Sequence, residues 1–296
     1  RSLLTLAFRR PVQDQTFRKY FSYAKQQIDQ GLGMGDVMKE VLSAILASPR
    51  FLYLYDQDGK ESTHPKLSQN LDLVTRLSFF LWGSLPDEEL LQTAKKGVLV
   101  EEEQLRKQVD RMLTDNKLKR FCDSFPTQWL QLDRIISAVP DEKKYRDFYY
   151  AAPLYRTTMD MMMEPLLLFE TVLIEDRSIL ELIDSNFTYR SSRLRKWYGE
   201  EPGGKLSGPV SMAFQRQSVE DRRHGGVITN GAVMTMTSGP LETKPITRGA
   251  WIAGVIFNSP PPPPPAEVPP LPEEKEVDLS MTLRERFADH RERADC

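Results

Sequence analysis

The stretch SQNLDLVTRLSFFLWGSLPDEEL, residues 68–90, decides the fold class. Leu71, Val74, Leu77 and Leu81 recur every three or four positions, which lays one apolar stripe along a helix. Ser68 precedes the stripe as a start signal, and Gly83 stops it. Ser84-Leu85-Pro86-Asp87 then has the spacing of a capping box, with the serine taking a free backbone amide and the aspartate reaching back. A helix, a glycine stop and a fresh cap in so short a span are the punctuation of a helical module.

The same grammar runs outward from it. Gly97 is the next stop, and Glu101-Glu102-Glu103 place negative charge at the positive end of a helix whose inner face is Leu105, Val109 and Met112. Asp115 is placed to cap a helix through Phe121 and Phe125, kinked or broken at Pro126. A long run from Tyr145 to Ile174 and a shorter one from Ser191 to Tyr198 complete a central helical module, 66–199. Upstream, Leu3, Leu6 and Ala7, then Phe17, Tyr20, Phe21, Ala24 and Ile28, form further stripes. Gly31, Gly33 and Gly35 interrupt them, and Asp36 opens a helix carrying Val37, Val41, Ala44 and Ile45. Ser48-Pro49 ends it, because the residue before proline is pushed out of helical geometry. This N-terminal helical module spans 1–58, and the polar stretch 57–66 reads as a linker.

From Gly199 the pattern changes, and the third module is assigned to 205–296. Gly203-Gly204 and Gly208-Pro209 mark loops. Residues 227–237, rich in Thr, Val, Gly and Met, predict short extended segments. A short helix is expected over 249–257 and an exposed, charge-alternating helix over 282–295. Prolines crowd 260–272, and the unbroken run 260–265 predicts a stiff polyproline rod roughly 19 Å long. The fold class is mainly α: multi-helix modules with an irregular C-terminal module containing short extended segments and a polyproline rod.

Composition narrows the function. The formal net charge of −2 gives no global field toward nucleic acid or acidic membranes. The short basic stretch Arg190–Lys196 reads as a solvated helix face. No apolar run reaches the ~18 residues a membrane span needs. The chain opens with Arg1-Ser2-Leu3-Leu4 already in helical pattern, so the natural start is expected upstream and the missing signal says nothing of compartment. The cysteines, Cys122 and Cys296, make neither a disulfide framework nor a zinc motif; Cys122 sits among apolar neighbours as a small buried hydrophobe.

The usual catalytic motifs are missing. There is no GxxxxGK[ST], no GxGxxG and no GxSxG, and Gly31–Gly35 lies between helices without the strand that dinucleotide binding needs. His64, His224 and His290 lie far apart in sequence, and no metal site is expected. Glu164 and Glu170 are the weak candidates for acid–base chemistry, against the plainer reading of one buried, hydrogen-bonded Glu and one solvated Glu. Met159, Met161, Met162 and Met163 read as core filler before they read as haem ligands. Trp129, Trp197 and Trp251 read as core anchors.

Several blocks in order carry a resemblance. They are Ala7-Phe8-Arg9-Arg10-Pro11; residues 45–53; Arg76–Trp82; Leu85–Leu90; Gln128-Trp129-Leu130; and Glu175–Ser178. Then follow Thr235–Ser238; Pro245–Trp251; the proline run; and Leu283–Arg286 with His290-Arg291. With these the chain resembles the domains of unknown function that accompany planctomycete c-type cytochrome modules in large extracytoplasmic proteins. It departs from them at Pro126, Pro165 and Trp197, the last standing where the family often has histidine.

The resemblance implies that a Cys-x-x-Cys-His haem module follows directly, with Cys296 as its first cysteine. Haem c is then expected in the parent protein, and none bound covalently by residues 1–296 alone. Arg248 and Trp251 are the residues expected to form one wall of the haem site, with structural pairing inside the fold as the alternative for Arg248. The implied function is a helical scaffold and docking region of a periplasmic or extracellular c-type cytochrome protein, in electron transfer or oxidoreduction. Its partner is the adjacent cytochrome module, and no enzyme constellation is recognised in the chain itself. The competing reading is a non-redox binding module for surface polysaccharide or a partner protein.

Overall fold

The helix inside residues 68–90 begins earlier than its stripe suggests. In a computed structural model, which describes residues 1–54, 64–150, 157–200, 213–262 and 281–286, α5 runs Pro65–Trp82 with proline in its first turn. Proline suits that position because its missing N–H would have no partner there anyway. Ser68 therefore lies inside the helix, fully packed. Gly83 closes α5 in the left-handed region (φ 55°), and its N–H reaches Phe79 O at 3.1 Å.

The next cap differs from the capping box. α6 (Glu88–Lys95) is capped by Asp87, whose Oδ1 accepts from Leu90 N at 3.0 Å. Ser84 instead donates to Leu85 O. Arg111, on α7 (Glu102–Leu113), explains the change: it grips the Asp87 carboxylate with two donors, at 2.7 and 3.2 Å. Asp115 caps a single 3₁₀ turn, Asn116–Leu118, that feeds α8 (Lys119–Trp129). α8 is not broken at Pro126. The hydroxyl of Thr127 takes Asp123 O at 2.6 Å, one turn back.

The run 145–174 resolves into α9 (Arg146–Tyr150) and α10 (Thr158–Ile174). α10 is buried round most of its circumference, as a central helix is. Phe121 of α8 stands between Phe80 of α5 and Phe169 of α10, with ring centroids 4.9 and 5.8 Å away. Trp82, fully buried, donates its indole N–H to Met112 O at 3.1 Å. It is a deeper anchor than Trp129 or Trp197, both of which keep some exposure.

The N-terminal helices are α1 (Ser2–Phe8), α2 (Asp14–Asp29), α3 (Met34–Leu46) and α4 (Pro49–Leu52). α3 opens at Met34, ahead of Asp36. Ser48-Pro49 both ends the α3 region and caps α4. Leu4, Ala7, Phe8 and Ile45 form their small core.

The extended structure lies elsewhere than 227–237. β1 (Phe187–Arg190) pairs antiparallel with β2 (Gln215–Ser218), Phe187 opposite Ser218 and Arg190 opposite Gln215. α11 (Ser192–Trp197) follows β1. Within 227–237 the chain forms α12 (Gly231–Met236). Asn230 caps it, accepting Val233 N at 2.9 Å, and this local bond outweighs the strand preference of the Thr and Val residues.

Contacts divide the chain into two compact units, residues 1–236 and 237–296. In the second, an isolated bridge joins Ser238 and Thr243. The helix expected over 249–257 starts sooner, as α13 (Pro245–Trp251), and continues as a π turn, Ile252–Ile256. α14 (Leu283–Arg286) is the described part of the helix expected over 282–295. The prolines of 260–272 from Pro263 on and Cys296 lie outside the described residues, as do 57–63 of the expected linker and the loop glycines within 201–212.

Asn70, fully buried on α5, joins α5 to the turn before α7: its Oδ1 accepts Leu99 N at 2.7 Å, and its Nδ2 donates to Lys66 O at 2.8 Å. Asn70→Ala strands the buried Leu99 amide and should cost about 2 kcal/mol, measured by urea unfolding. A loss below a few tenths would show that the turn finds another partner.

Candidate functional site

α10 carries two acidic side chains one turn apart, Asp160 and Glu164, and both are buried. Glu164 is 2 % exposed. Its Oε1 accepts from Thr188 of β1 at 2.7 Å. Its Oε2 accepts from the Tyr198 hydroxyl at 2.7 Å and, more distantly, from Gly231 N at 3.5 Å. Gly231 N also donates to the Tyr198 oxygen at 2.6 Å. Arg190, from the same strand as Thr188, has its Nε 3.8 Å from Glu164 Oε1 and lays its guanidinium over the Tyr198 ring, 3.7 Å from the centroid.

Alternation along β1 explains this convergence. Thr188 and Arg190 point to one face and Tyr189 to the other, where it shares a hydrogen bond with Thr171 at 2.7 Å. The network then extends outward. Arg190 also pairs with Glu200, which accepts from Gln217 of β2 at 3.1 Å and lies 3.6 Å from Arg195. Asp160 accepts from Ser191 Oγ at 2.6 Å and sits 3.5 Å from Arg193 Nε. Within Arg190–Lys196, Arg190 and Arg193 are not on a solvated face: both are buried against these carboxylates.

Burial pushes the Glu164 carboxyl above the usual range, against the pull of Tyr198, Thr188 and Arg190. Burial, then the Glu164 charge, pushes the Tyr198 phenol up as well. Both oxygens of Glu164 are engaged and neither faces solvent. The arrangement can hold a proton inside the fold, and it offers no open face to a dissolved substrate.

Glu170 is not brought to Glu164. Six positions along a helix is about 9 Å of rise and a turn of about 120°, and Glu170 pairs with Lys119 of α8 at 3.0 Å on that other side. Met161 is core and accepts from Thr235 Oγ1 at 3.7 Å, whereas Met159 is half exposed. Cys122 is a fully buried free thiol, raised to about 11 by burial and then by Glu170. His224 meets the Tyr198 ring edge-on at 5.5 Å; His64 stands at the start of α5; His290 lies outside the described residues. Among the described residues no group of His, Cys, Asp and Glu could hold a metal ion. No described helix is long and apolar enough to cross a membrane.

In the second unit, Arg248 donates to three hydroxyls, Thr237 at 3.2 Å, Ser238 at 3.4 Å and Thr243 at 2.7 Å. Trp251 is buried, and its indole Nε1 has no acceptor among the described residues. The Glu164 partners Thr188, Arg190, Tyr198 and Gly231 were not singled out by sequence. The Thr-x-Arg alternation over 188–190 is a local signal that could have pointed to an inward polar face, and it was not read.

Three family models match the chain. Residues 1–56 match PSD5, "Protein of unknown function (DUF1595)"; 69–199 match PSD4, "Protein of unknown function (DUF1592)"; and 223–296 match PSCyt3, "Protein of unknown function (DUF1588)". No curated protein and no solved structure matches.

A carboxyl whose folded pKa is raised contributes to stability fully below its unfolded pKa and loses that contribution as pH rises through the folded value. Glu164→Gln removes the loss. Urea unfolding at about pH 4 and pH 8 should show the variant gaining on the wild type as pH rises. A difference that does not change with pH would acquit Glu164 as the titrating group.

Proposed function

We propose a scaffold and docking role for this chain, which is built from three planctomycete cytochrome-c-associated domains of unknown function. The chain serves an extracytoplasmic c-type cytochrome protein, in electron transfer or oxidoreduction. The observation that carries this reading is the ordered match of all three domains, with the third running to Cys296. In this reading Cys296 supplies the first thioether of a haem attachment site, and the haem supplies the redox chemistry.

Arg248 and Trp251 suit one wall of such a site. The three hydroxyls around Arg248 are neutral, so its charge has no carboxylate partner among the described residues. A guanidinium in that state is matched to a propionate. The buried Trp251 indole N–H likewise still needs an acceptor. The three assigned modules, 1–58, 66–199 and 205–296, then act as a frame, with the prolines of 260–272 as the spacer beside the haem module.

The test is the longer parent polypeptide, extended past residue 296 and expressed with a cytochrome c maturation system. Haem absorbance should stay with the denatured polypeptide, and Cys296→Ser should abolish or alter that attachment. A folded product free of covalent haem would overturn the redox reading in favour of a non-redox binding module for a polysaccharide or a partner protein.

A further inference from the structure

A cleft lies where the α1–α2 connection faces the end of α4 and the side of α5. It holds about 120 Å³ of cavity volume and opens to solvent, room for a small anionic group rather than a drug-sized ligand. Among the described residues its wall includes Arg9, Arg10 and Arg50 and no acidic side chain.

Each arginine is held in a different way. Arg9 is 4 % exposed and stands in the left-handed region (φ 58°). Its guanidinium donates only to carbonyls: Arg50 O at 2.9 Å, Tyr53 O at 3.1 Å, Phe51 O at 3.2 Å and Ala7 O at 3.3 Å. Carbonyl dipoles satisfy the N–H groups but leave the full positive charge. Arg10 is neutralised by Asp72 at 2.8 Å. Arg50 is exposed, and among the described residues its guanidinium has one hydrogen-bond partner, the Thr16 hydroxyl at 3.0 Å. Burial, then the Arg10 charge, lowers the pKa of Arg9. Beside them, Tyr53 and Leu54 expose 59 % and 51 % of their surface as an apolar shelf.

We propose that this cleft binds a small organic anion. Its carboxylate or phosphate head pairs with the Arg50 fork, in the field of Arg9, and its apolar body rests on Tyr53 and Leu54. Arginine forks match both oxyanion geometries, so the head group is defined as an oxyanion and the two chemistries are separated by experiment. The site lies in the first unit and stands independently of the haem reading.

The full chain is titrated calorimetrically with sodium benzoate and, separately, with inorganic phosphate, at constant ionic strength against a chloride control. One of them should saturate, and Arg50→Gln should weaken it about tenfold or more. Arg106→Gln, on the exposed side of α7, should leave it unchanged. Tyr53→Leu should weaken benzoate more than phosphate if the carboxylate is the natural head group. Circular dichroism checks that each variant is folded. The proposal is overturned if neither probe exceeds chloride, or if folded Arg50→Gln binds as the wild type does.

Discussion

A carboxylate almost without access to water sits inside the first unit, and the arrangement around α10 follows from having to satisfy it. An isolated buried charge is far too costly to persist. Glu164 therefore needs donors from several directions: Thr188 and Arg190 from β1, Tyr198 from beyond α11, and the Gly231 amide from the start of α12. None of these is near Glu164 in sequence, so β1, α11 and α12 must all dock on one stretch of α10. Gly231 is part of the same demand. A Cβ there would sit 3.2 Å from Met161 Cγ and 3.3 Å from the Tyr198 hydroxyl. Without that Cβ, the backbone amide can approach the phenol oxygen.

Such a network does not add stability in proportion to its bonds. Desolvating Arg190, Arg193, Asp160 and Glu164 costs much of what their pairing returns. An apolar core of equal volume would hold α10 as well. What the polar version adds is selectivity. A shift of β1 by one residue would turn Thr188 and Arg190 outward and bring Phe187 and Tyr189 against the carboxylate. The two short strands, only four residues each, carry little register information of their own, so Glu164 supplies it. The deep burial of Trp82 and its bond to Met112 O tie α5 to α7 in a comparable way, with a neutral donor.

The helices of the central module were readable because their signals are local. The stripe Leu71–Leu81, the Gly83 stop and the acidic first turn of α7 each act within one or two turns. Their exact starts were not readable. Ser68 was favoured as a start, but Pro65 fits a first turn better, and Asp87 was drawn into the cap by Arg111 twenty-odd residues away. The extended segments were misplaced for the opposite reason. β-branched residues over 227–237 suggested strands, yet one side-chain bond from Asn230 was enough to start α12. At 187–190 the strand signal was as short as the strand. The candidate site was half legible. Glu164 stood out as an acid on an apolar helix, but its partners come from 24 to 67 residues further along the chain. The burial of Arg190 and Arg193 depends wholly on those partners, which is why a basic run looked like a solvated face.

The same long-range contacts bear on how the three matched regions relate. Their boundaries are sequence boundaries, and the physical bonds cross them. Arg10, in the first region, pairs with Asp72 in the second, and the Arg9 guanidinium stands 5.6 Å from the Phe79 ring centroid. Gly231, in the third region, donates to Tyr198 and Glu164 in the second, and Thr235 donates to Met161. Residues 223–236 thus belong to the third region by sequence and to the first compact unit by contact. Cutting the chain at 199 would leave Glu164 and Tyr198 without the Gly231 amide, and cutting at 56 would leave Asp72 without Arg10. Charges buried at a boundary make the regions on either side depend on each other, so the part of the chain up to residue 236 is better understood as one folding unit than as separable domains.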